Sequence, residues 1–133
     1  MAFHGRHIVT KNLGGALWLV RVGGEHDLST VPELRRTVDE IFETGTCLVV
    51  DLSSATFIDS SILGELIRAK LQADKSPDET IAVVAPPGSS AGRILDLVGA
   101  DDKWFPRFDS AQTAIGWCRG NRVPVEERSN PDA

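Results

Sequence analysis

The stretch VVDLSSATFIDSSILG, residues 49–64, decides the fold of this chain. It opens with an apolar run typical of a buried strand, continues through a loop of small residues, and reaches Asp59, Ser60 and Ser61 where a helical stripe begins. The first turn of a helix presents unpaired backbone N–H groups and partial positive charge, so a hydroxyl there can carry a phosphate. The stretch therefore predicts a strand, a loop and a helix with a modifiable serine at the start of the helix.

Segments on both sides continue this alternation. Runs of β-forming residues bounded by glycine or proline predict five strands. The first two should form a hairpin whose second strand closes at Gly23 and Gly24, and the last should lie at a sheet edge because Pro106 follows it. In chain order the predicted strands cover residues 8–10, 16–22, 47–52, 81–85 and 103–105.

Helical periodicity and capping residues predict four helices. The first has Thr30 as N-cap in a capping box with Glu33 and ends at Gly45, and the last opens on a second capping-box pattern at residues 109–112. The predicted helices cover residues 31–44, 60–73, 90–98 and 111–120. Their core-facing positions are expected to include Leu34, Val38, Ile41 and Phe42, then Leu63, Leu66, Ile67 and Leu71, then Ile94, Leu95, Leu97 and Val98, and finally Ala114, Ile115 and Cys118.

This order of elements predicts an α/β fold with a mixed sheet of about five strands and about four helices. Short connections between strands and helices favour parallel neighbours with right-handed crossovers. The loops at the carboxyl ends of such strands gather on one rim of the sheet. Residues 25–27 follow one strand and residues 59–61 lie after another, so we expect two acids and a hydroxyl to meet there.

Composition agrees with a small regulatory domain. A chain of 133 residues with 41% apolar content can bury one core. The net charge of −5 and the lack of clustered Lys and Arg argue against a nucleic-acid surface. No segment approaches 18 consecutive apolar residues and residues 1–6 do not resemble a secretory signal, so we expect no membrane insertion and a cytoplasmic location. Cys47 and Cys118 lack zinc-site spacing, and we expect them to be buried, reduced thiols.

Two motifs resemble those of the anti-sigma factor antagonists, which are built on the STAS (sulfate transporter and anti-sigma factor antagonist) domain. Residues 57–64, Phe-Ile-Asp-Ser-Ser-Ile-Leu-Gly, resemble the family's Asp-Ser-Ser/Thr-Gly-Leu-Gly phosphorylation motif, with Ile62 in place of a glycine. Residues 24–27, Gly-Glu-His-Asp, resemble its Gly-Glu-x-Asp segment. The resemblance runs from about Ile8 to Cys118 and implies a single STAS-like domain over residues 1–120. Residues 121–133 are polar, contain proline and lack a helical stripe, so we expect them to form a flexible tail.

The resemblance also implies a function, which is regulatory and not enzymatic. An unmodified antagonist of this family binds an anti-sigma factor that is itself a serine kinase, and phosphorylation of the first serine after the aspartate ends that binding. Carried over, Ser60 is the phosphorylation site, a phosphatase reactivates the protein, and no cofactor is needed. The partner-binding residues would be Glu25, Asp27, Asp59, Ser60, Ser61, Ile62 and Leu63. Ile62 is expected to be a partner-specific contact or, alternatively, a block that has silenced the switch.

Other interpretations of the same residues remain open. Ser60 with His26 and an acid could form a nucleophilic triad, but no Gly-x-Ser-x-Gly elbow is present. Glu25, Asp27 and Asp59 could hold a divalent metal, and Ser60 could be only an N-cap. At the level of the whole domain, the alternatives are a phosphorylation-independent scaffold, a soluble subunit of a lipid-transport complex, or a nucleotide-binding sensor.

Overall fold

The computed structural model describes residues 7–44, 46–100 and 104–121, with the side chain of residue 121 excepted. Within these ranges the chain forms six strands and four α-helices in an α/β order. The strands are β1 His7–Asn12, β2 Leu17–His26, β3 Cys47–Asp51, β4 Ala55–Ile58, β5 Thr80–Val84 and β6 Arg107–Phe108. The helices are α1 Val31–Phe42, α2 Ser60–Ala73, α3 Ser90–Leu97 and α4 Ala111–Asn121, and a 3-10 turn, Leu28–Thr30, precedes α1.

The sheet is mixed, as the sequence predicts. β1 and β2 form the antiparallel hairpin, and β2, β3, β5 and β6 follow as parallel neighbours in the order β1-β2-β3-β5-β6. β4 lies off this path and pairs in parallel with the last residues of β2. The strand β2 therefore has two parallel partners in succession, β3 along its first half and β4 at its carboxyl end.

Alternation along the central strands gives the sheet two apolar faces. On the front face, side chains of β2, β3 and β5 such as Val20, Leu48 and Val83 pack against α1, α2 and α3. On the back face, Leu19, Val49 and their neighbours pack against α4. The central strands are buried on both faces, which explains why their sequences are continuous apolar runs.

Three details of the strands differ from the sequence-based expectation. Residues 55–58, which form β4, are expected as loop because they lie between a Ser-Ser pair and a helix cap. β2 does not close at Gly23 and Gly24 but continues to His26, with a positive φ of 86° at Gly24 and a register shift directly after it. The edge strand is real but lies at Arg107–Phe108 and not at residues 103–105, of which residue 103 is outside the described residues.

The helices begin close to where the sequence predicts, but some caps and core positions differ. Thr30 has helical backbone angles and no capping hydrogen bond, so the predicted capping box with Glu33 is wrong. Before α4, Ser110 is the cap, since its hydroxyl accepts from the Thr113 N–H at 3.1 Å. Three predicted core side chains are exposed instead: Leu71, Leu97 and Val98.

The carboxyl ends of α1, α3 and α4 agree with the sequence-based expectation to different extents. The predicted stop at Gly45 lies outside the described residues, whereas Gly99 follows α3 with a φ of 75°, as a C-terminal glycine should. α4 extends to Asn121, and residues 122–133 of the predicted tail lie outside the described residues. No helix in the described part of the chain is long and apolar enough to cross a membrane.

The expectation of two reduced thiols is wrong. Cys47 at the start of β3 and Cys118 on α4 form a disulfide, with their Cα atoms 6.0 Å apart and a separation of 71 positions in sequence. Both residues are buried in the back-face cluster. The bond therefore fastens α4 to the centre of the sheet.

A candidate phosphorylation and docking site

Parallel pairing of β2 and β4 places the two acidic loops side by side. Glu25 is in register with Phe57, and His26 with Ile58. Asp27 and Asp59 are the next residues along the two strands, so they leave the sheet at its carboxyl edge as neighbours. We call the group Glu25, Asp27, Asp59, Ser60 and Ser61 the serine rim.

Asp59 is the N-cap of α2. Its Oδ1 accepts a hydrogen bond from the Ser61 N–H at 2.9 Å, and the Ser61 hydroxyl donates to the same oxygen. Ser60, the first residue of the helix, is exposed, and its hydroxyl has no hydrogen bond to the described residues. The two adjacent serines are therefore unequal, since Ser61 is committed to the cap and Ser60 faces outward.

The neighbouring loop repeats this arrangement. Asp27 caps the 3-10 turn, and its Oδ1 accepts from the Ser29 N–H at 2.9 Å and from the Ser29 hydroxyl at 2.6 Å. The two segments are thus Asp-x-Ser caps in which x points away from the cap. In one loop x is Ser60, and in the other it is Leu28, whose side chain is 69% exposed.

Asp59 already satisfies the first amides of α2. Besides the Ser61 N–H, the N–H groups of Ile62 and Leu63 donate to the Asp59 carbonyl oxygen at 3.1 and 3.4 Å. A phosphate on Ser60 would gain from the helix dipole but would find these three amide donors occupied.

His26 is held within its own segment and does not pair with Ser60. It is buried, its Nε2–H donates to the Gly23 carbonyl at 2.6 Å, and its Nδ1 lies 3.2 Å from the Thr30 hydroxyl. Because the Gly23 carbonyl can only accept, Nε2 carries the proton in this arrangement. The contacts of both ring nitrogens are those of a structural histidine at the end of β2.

Two of the predicted partner-binding residues point into the protein. Ile62 is fully buried and Leu63 nearly so, and both belong to the front-face core. The expectation that the Ile62 side chain contacts a partner directly is therefore wrong for this conformation. The branched side chain at this position fills the space between α2 and the sheet, a role that glycine could not perform.

Two exposed apolar side chains beside the serine rim were not identified from the sequence. Phe57 on β4 is 47% exposed and lies two residues before Asp59, and Leu28 is the exposed counterpart of Ser60 described above. Phe57 also lines a shallow groove between β4 and α3, together with Ile94, Leu97 and Arg93. No sequence pattern indicated the exposure of Phe57, because β4 was not expected and its burial does not alternate, Thr56 and Phe57 both being exposed.

A buried carboxylate fixes α2 against α1. Glu65, whose side chain is only 1% exposed, accepts from Arg35 Nε at 3.1 Å and from Arg68 Nη2 at 2.7 Å. Arg68 also reaches Asp39 on α1 at 3.0 Å. Hydrogen bonding to Glu65, with a further bond to Asp39, raises the pKa of the Arg68 guanidinium above its ordinary value. This network sits one and a half turns along the helix from Ser60 and holds the direction of the helix that carries it.

The acids of the rim do not gather into a metal site. In the described ranges no group of three or more His, Cys, Asp or Glu side chains is placed to hold a metal ion. Asp27 and Asp59 each direct Oδ1 at their own capping serine. Their arrangement is that of two caps.

Comparison with known proteins assigns the family. The model of the family described as "Mlab, STAS domain" matches residues 9–105, which is most of the chain. An anti-sigma-B factor antagonist from Staphylococcus epidermidis is 34% identical over 84 residues, covering 62% of this chain and 76% of that protein. This chain belongs to the STAS-domain anti-sigma factor antagonist family.

Solved structures agree with that assignment. An anti-sigma factor antagonist from Mycobacterium paratuberculosis superposes with a TM-score of 0.76 at 26% identity, covering 89% of this chain and 97% of that one. The Bacillus cell fate determinant SpoIIAA in its phosphorylated form has the same fold, with a TM-score of 0.64 at 16% identity over 84% of this chain and 98% of that one. The STAS fold predicted from the motifs is thereby confirmed, with six strands in place of about five.

Proposed function

We propose that this STAS domain is an anti-sigma factor antagonist that binds an anti-sigma factor with serine kinase activity when unphosphorylated and is released by phosphorylation of Ser60. The observation that carries the proposal is the inequality of the two serines. Ser60 is exposed at the start of α2 with its hydroxyl outward, whereas the Ser61 hydroxyl is bonded to Asp59. A kinase can reach the first hydroxyl without disturbing the helix cap.

The switch acts at the surface and leaves the fold unchanged. A phosphate adds about −1.5 to −2 charge at neutral pH. It would stand among Glu25, Asp27 and Asp59, and the first amides of α2 are already bonded to Asp59. The added charge therefore projects toward the partner, where repulsion and bulk separate the two proteins.

The proposed docking surface consists of the serine rim together with Leu28 and Phe57. The acids favour a partner surface that carries basic residues, which speeds association and selects the partner. The exposed Leu28 and Phe57 supply apolar contact area beside Ser60. Ile62 and Leu63 contribute indirectly, because they hold α2 in place from within the core.

The remaining parts of the proposal follow from the same role. The protein has no catalytic function of its own, acts in the cytoplasm where its ATP-dependent partner works, and is reactivated by a phosphatase. Its output is sigma-factor-dependent transcription, which it controls through the partner without contacting nucleic acid. Residues 1–120 are proposed to form the regulatory domain.

The test is phosphorylation by the cognate kinase with ATP, followed by mapping of the phosphate by mass spectrometry. Ser60→Ala should abolish labelling, and Ser60→Thr should retain part of it. Ser29→Ala is the matched control, because Ser29 occupies the equivalent of Ser61 in the neighbouring cap and its loss should leave labelling intact. Labelling that persists in Ser60→Ala would refute the assignment.

A binding measurement tests the rim as the interface. Ser60→Glu should weaken the complex with the kinase at low salt, and the weakening should shrink as salt rises, because exposed charges are screened over about 10 Å at 0.1 M. Leu28→Ala should also weaken it, but with little dependence on salt. A dissociation constant unchanged by both substitutions would place the interface elsewhere.

A phosphorylation-independent docking module is the second candidate. It is favoured by the description of the matching family model, which names Mlab and not an antagonist, and by the isoleucine at position 62. In that case Ser60→Glu and Ser60→Ala should bind the partner alike, and the kinase should label neither the wild type nor the variants. The same two experiments therefore distinguish the candidates.

A further inference from the structure

Helix α4 covers the back face of the sheet but buries few large side chains. Its buried side chains are Ala114 and Cys118, which are small, and its interior contains Gly116 and Gly120. Glycine lowers helix stability by roughly 1 kcal/mol relative to alanine. The helix packs on β3, β5 and β6 through these small residues, with Ile115 and Trp117 only half-buried.

The disulfide holds α4 to the sheet where its small buried side chains give little packing. Cys118 lies in the second half of the helix, and its partner Cys47 begins the central strand β3. The bond closes a segment of 71 residues, so breaking it restores a large amount of chain entropy to any state in which α4 has left the sheet. Helices α1, α2 and α3 have no such bond and are held by larger buried side chains.

We infer that the Cys47–Cys118 disulfide is a redox-sensitive crosslink that determines whether α4 stays packed on the back face of the sheet. In the oxidised protein α4 is held closed and opens only rarely. In the reduced protein α4 opens locally and exposes the apolar side chains of the back face, among them Leu19, Val49 and Val84. The inference is independent of the proposed role of Ser60.

The chemistry is thiol–disulfide exchange. A low-molecular-weight thiol attacks one sulfur to give a mixed disulfide, and a second thiol releases it. Two such thiols lose two electrons and become one disulfide, while Cys47 and Cys118 each end as a free thiol. Re-oxidation by a small-molecule disulfide reverses these steps.

Burial of both cysteines couples this exchange to motion of the helix. Cys47 and Cys118 are 1% and 0% exposed, so a thiol cannot reach either sulfur while α4 is closed. Exchange therefore requires local opening of α4, whose buried side chains Ala114 and Cys118 are small. A reducing compartment such as the cytoplasm would hold the dithiol form, and oxidative conditions would trap the closed form.

The test is hydrogen–deuterium exchange of the wild-type protein, oxidised and after reduction with dithiothreitol. The amides of α4 should exchange at least tenfold faster in the reduced protein, while those of α2 change much less. Equal acceleration in both helices, or no change in α4, would overturn the inference, because the bond would then affect only global stability or nothing. The wild-type comparison needs no substitution that could impair folding.

Two variants sharpen the result. Gly116→Ala is accommodated without a clash, because a Cβ at this position meets nothing within 4 Å. Better helix propensity should slow the exchange of α4 in the reduced variant about fivefold relative to the reduced wild type. Cys118→Ala should show fast exchange with or without dithiothreitol. A Gly116→Ala variant that leaves the reduced exchange rate unchanged, or a Cys118→Ala variant with slow exchange, would contradict the inference.

Direct detection of the bond completes the test. Reduced wild-type protein incubated with oxidised glutathione should lose the mass of two hydrogens, and peptide mapping should join Cys47 to Cys118. Alkylation of the native oxidised protein should find neither thiol. Stable glutathione adducts on both cysteines would refute reversible formation of the bond.

Discussion

On the front face of the sheet three helices bury Leu, Ile and Phe side chains against the strands, whereas on the back face α4 buries one alanine and one cysteine and is bonded to β3. The two faces are thus stabilised by different means. The front relies on packed volume and on the ion network around Glu65. The back relies on a covalent bond whose loop is worth about 4 kcal/mol in the chain-entropy account.

The difference bears on where regulation can act. The serine rim stands on α2, whose position is set by the front core and does not depend on the disulfide. In the proposed scheme a phosphate on Ser60 would act at this surface, while redox chemistry would act on α4 at the opposite face. Substitutions on the two faces should test this contrast.

Ile62→Ala should cost about 2–5 kcal/mol in the free energy of unfolding, because it leaves a cavity in the front core. Leu71→Ala on the same helix is the matched control, and it should change stability by less than about 0.5 kcal/mol since Leu71 is exposed. Urea denaturation measures both. Equal effects at the two positions would mean that Ile62 does not hold α2 to the sheet.

Glu65→Gln should cost about 1–3 kcal/mol, because the buried position loses the charge that pairs with Arg35 and Arg68. The cost falls short of that for a fully buried ion pair, since both arginines keep access to solvent. Glu40→Gln, at an exposed position of α1, is the control. A Glu65→Gln variant as stable as the wild type would show that packing alone fixes α1 against α2.

Ser110→Ala should cost about 1 kcal/mol, because it removes the hydroxyl that caps α4 through the Thr113 N–H. Ser89→Ala, which removes the corresponding cap of α3, is the front-face comparison. If α4 is held to the sheet more weakly than α3, Ser110→Ala should speed hydrogen exchange within α4 by a larger factor than Ser89→Ala speeds exchange within α3. The reverse order would contradict the contrast between the two faces.

Glu79→Gln should raise the melting temperature slightly at pH 7. Glu79 shares a cavity with Ala73 of α2 and Trp117 of α4, and burial, with repulsion from Asp78, raises the pKa of its carboxyl above the usual value of about 4.5. The folded state therefore favours the protonated form. The stability that the protonated Glu79 carboxyl gives the folded protein is fully present below its pKa in the unfolded chain. It is lost as the pH rises through its pKa in the folded protein.

Thermal unfolding at two pH values checks this prediction. The gain from Glu79→Gln should be present at pH 7 and absent at pH 3, where the wild-type carboxyl is already neutral. Glu43→Gln, at an exposed site, should show no such dependence. An equal gain at both pH values would point to a cause other than charge.

Local sequence patterns predicted most of the fold and the identity of the candidate serine. The helix boundary at Ser60 follows from a capping acid before an apolar stripe, and both capping and periodicity are properties of a few adjacent residues. The confirmed family assignment rests on the same short motifs. Short-range signals of this kind are visible in a sequence because they do not depend on what the segment later packs against.

The errors fall where distant segments meet. The strand character of residues 55–58 depends on pairing with β2, more than thirty residues earlier, and the burial of Ile62 depends on the strands beneath α2. Thr30 resembles a cap in sequence, but its hydroxyl lies beside the ring of His26. In each case a contact formed only in the folded chain determines what the residue does.

Local sequence patterns were sufficient for the order of the four helices and of every strand except β4, for the STAS motifs and for the position of Ser60 at the start of a helix. The tertiary structure decided that Ser60 faces outward while Ser61 does not, that Ile62 belongs to the core, and that Cys47 and Cys118 are joined. The physical reason is that capping and periodicity act over a few residues. Burial and a disulfide depend on which surfaces the sheet brings together across 71 residues of chain.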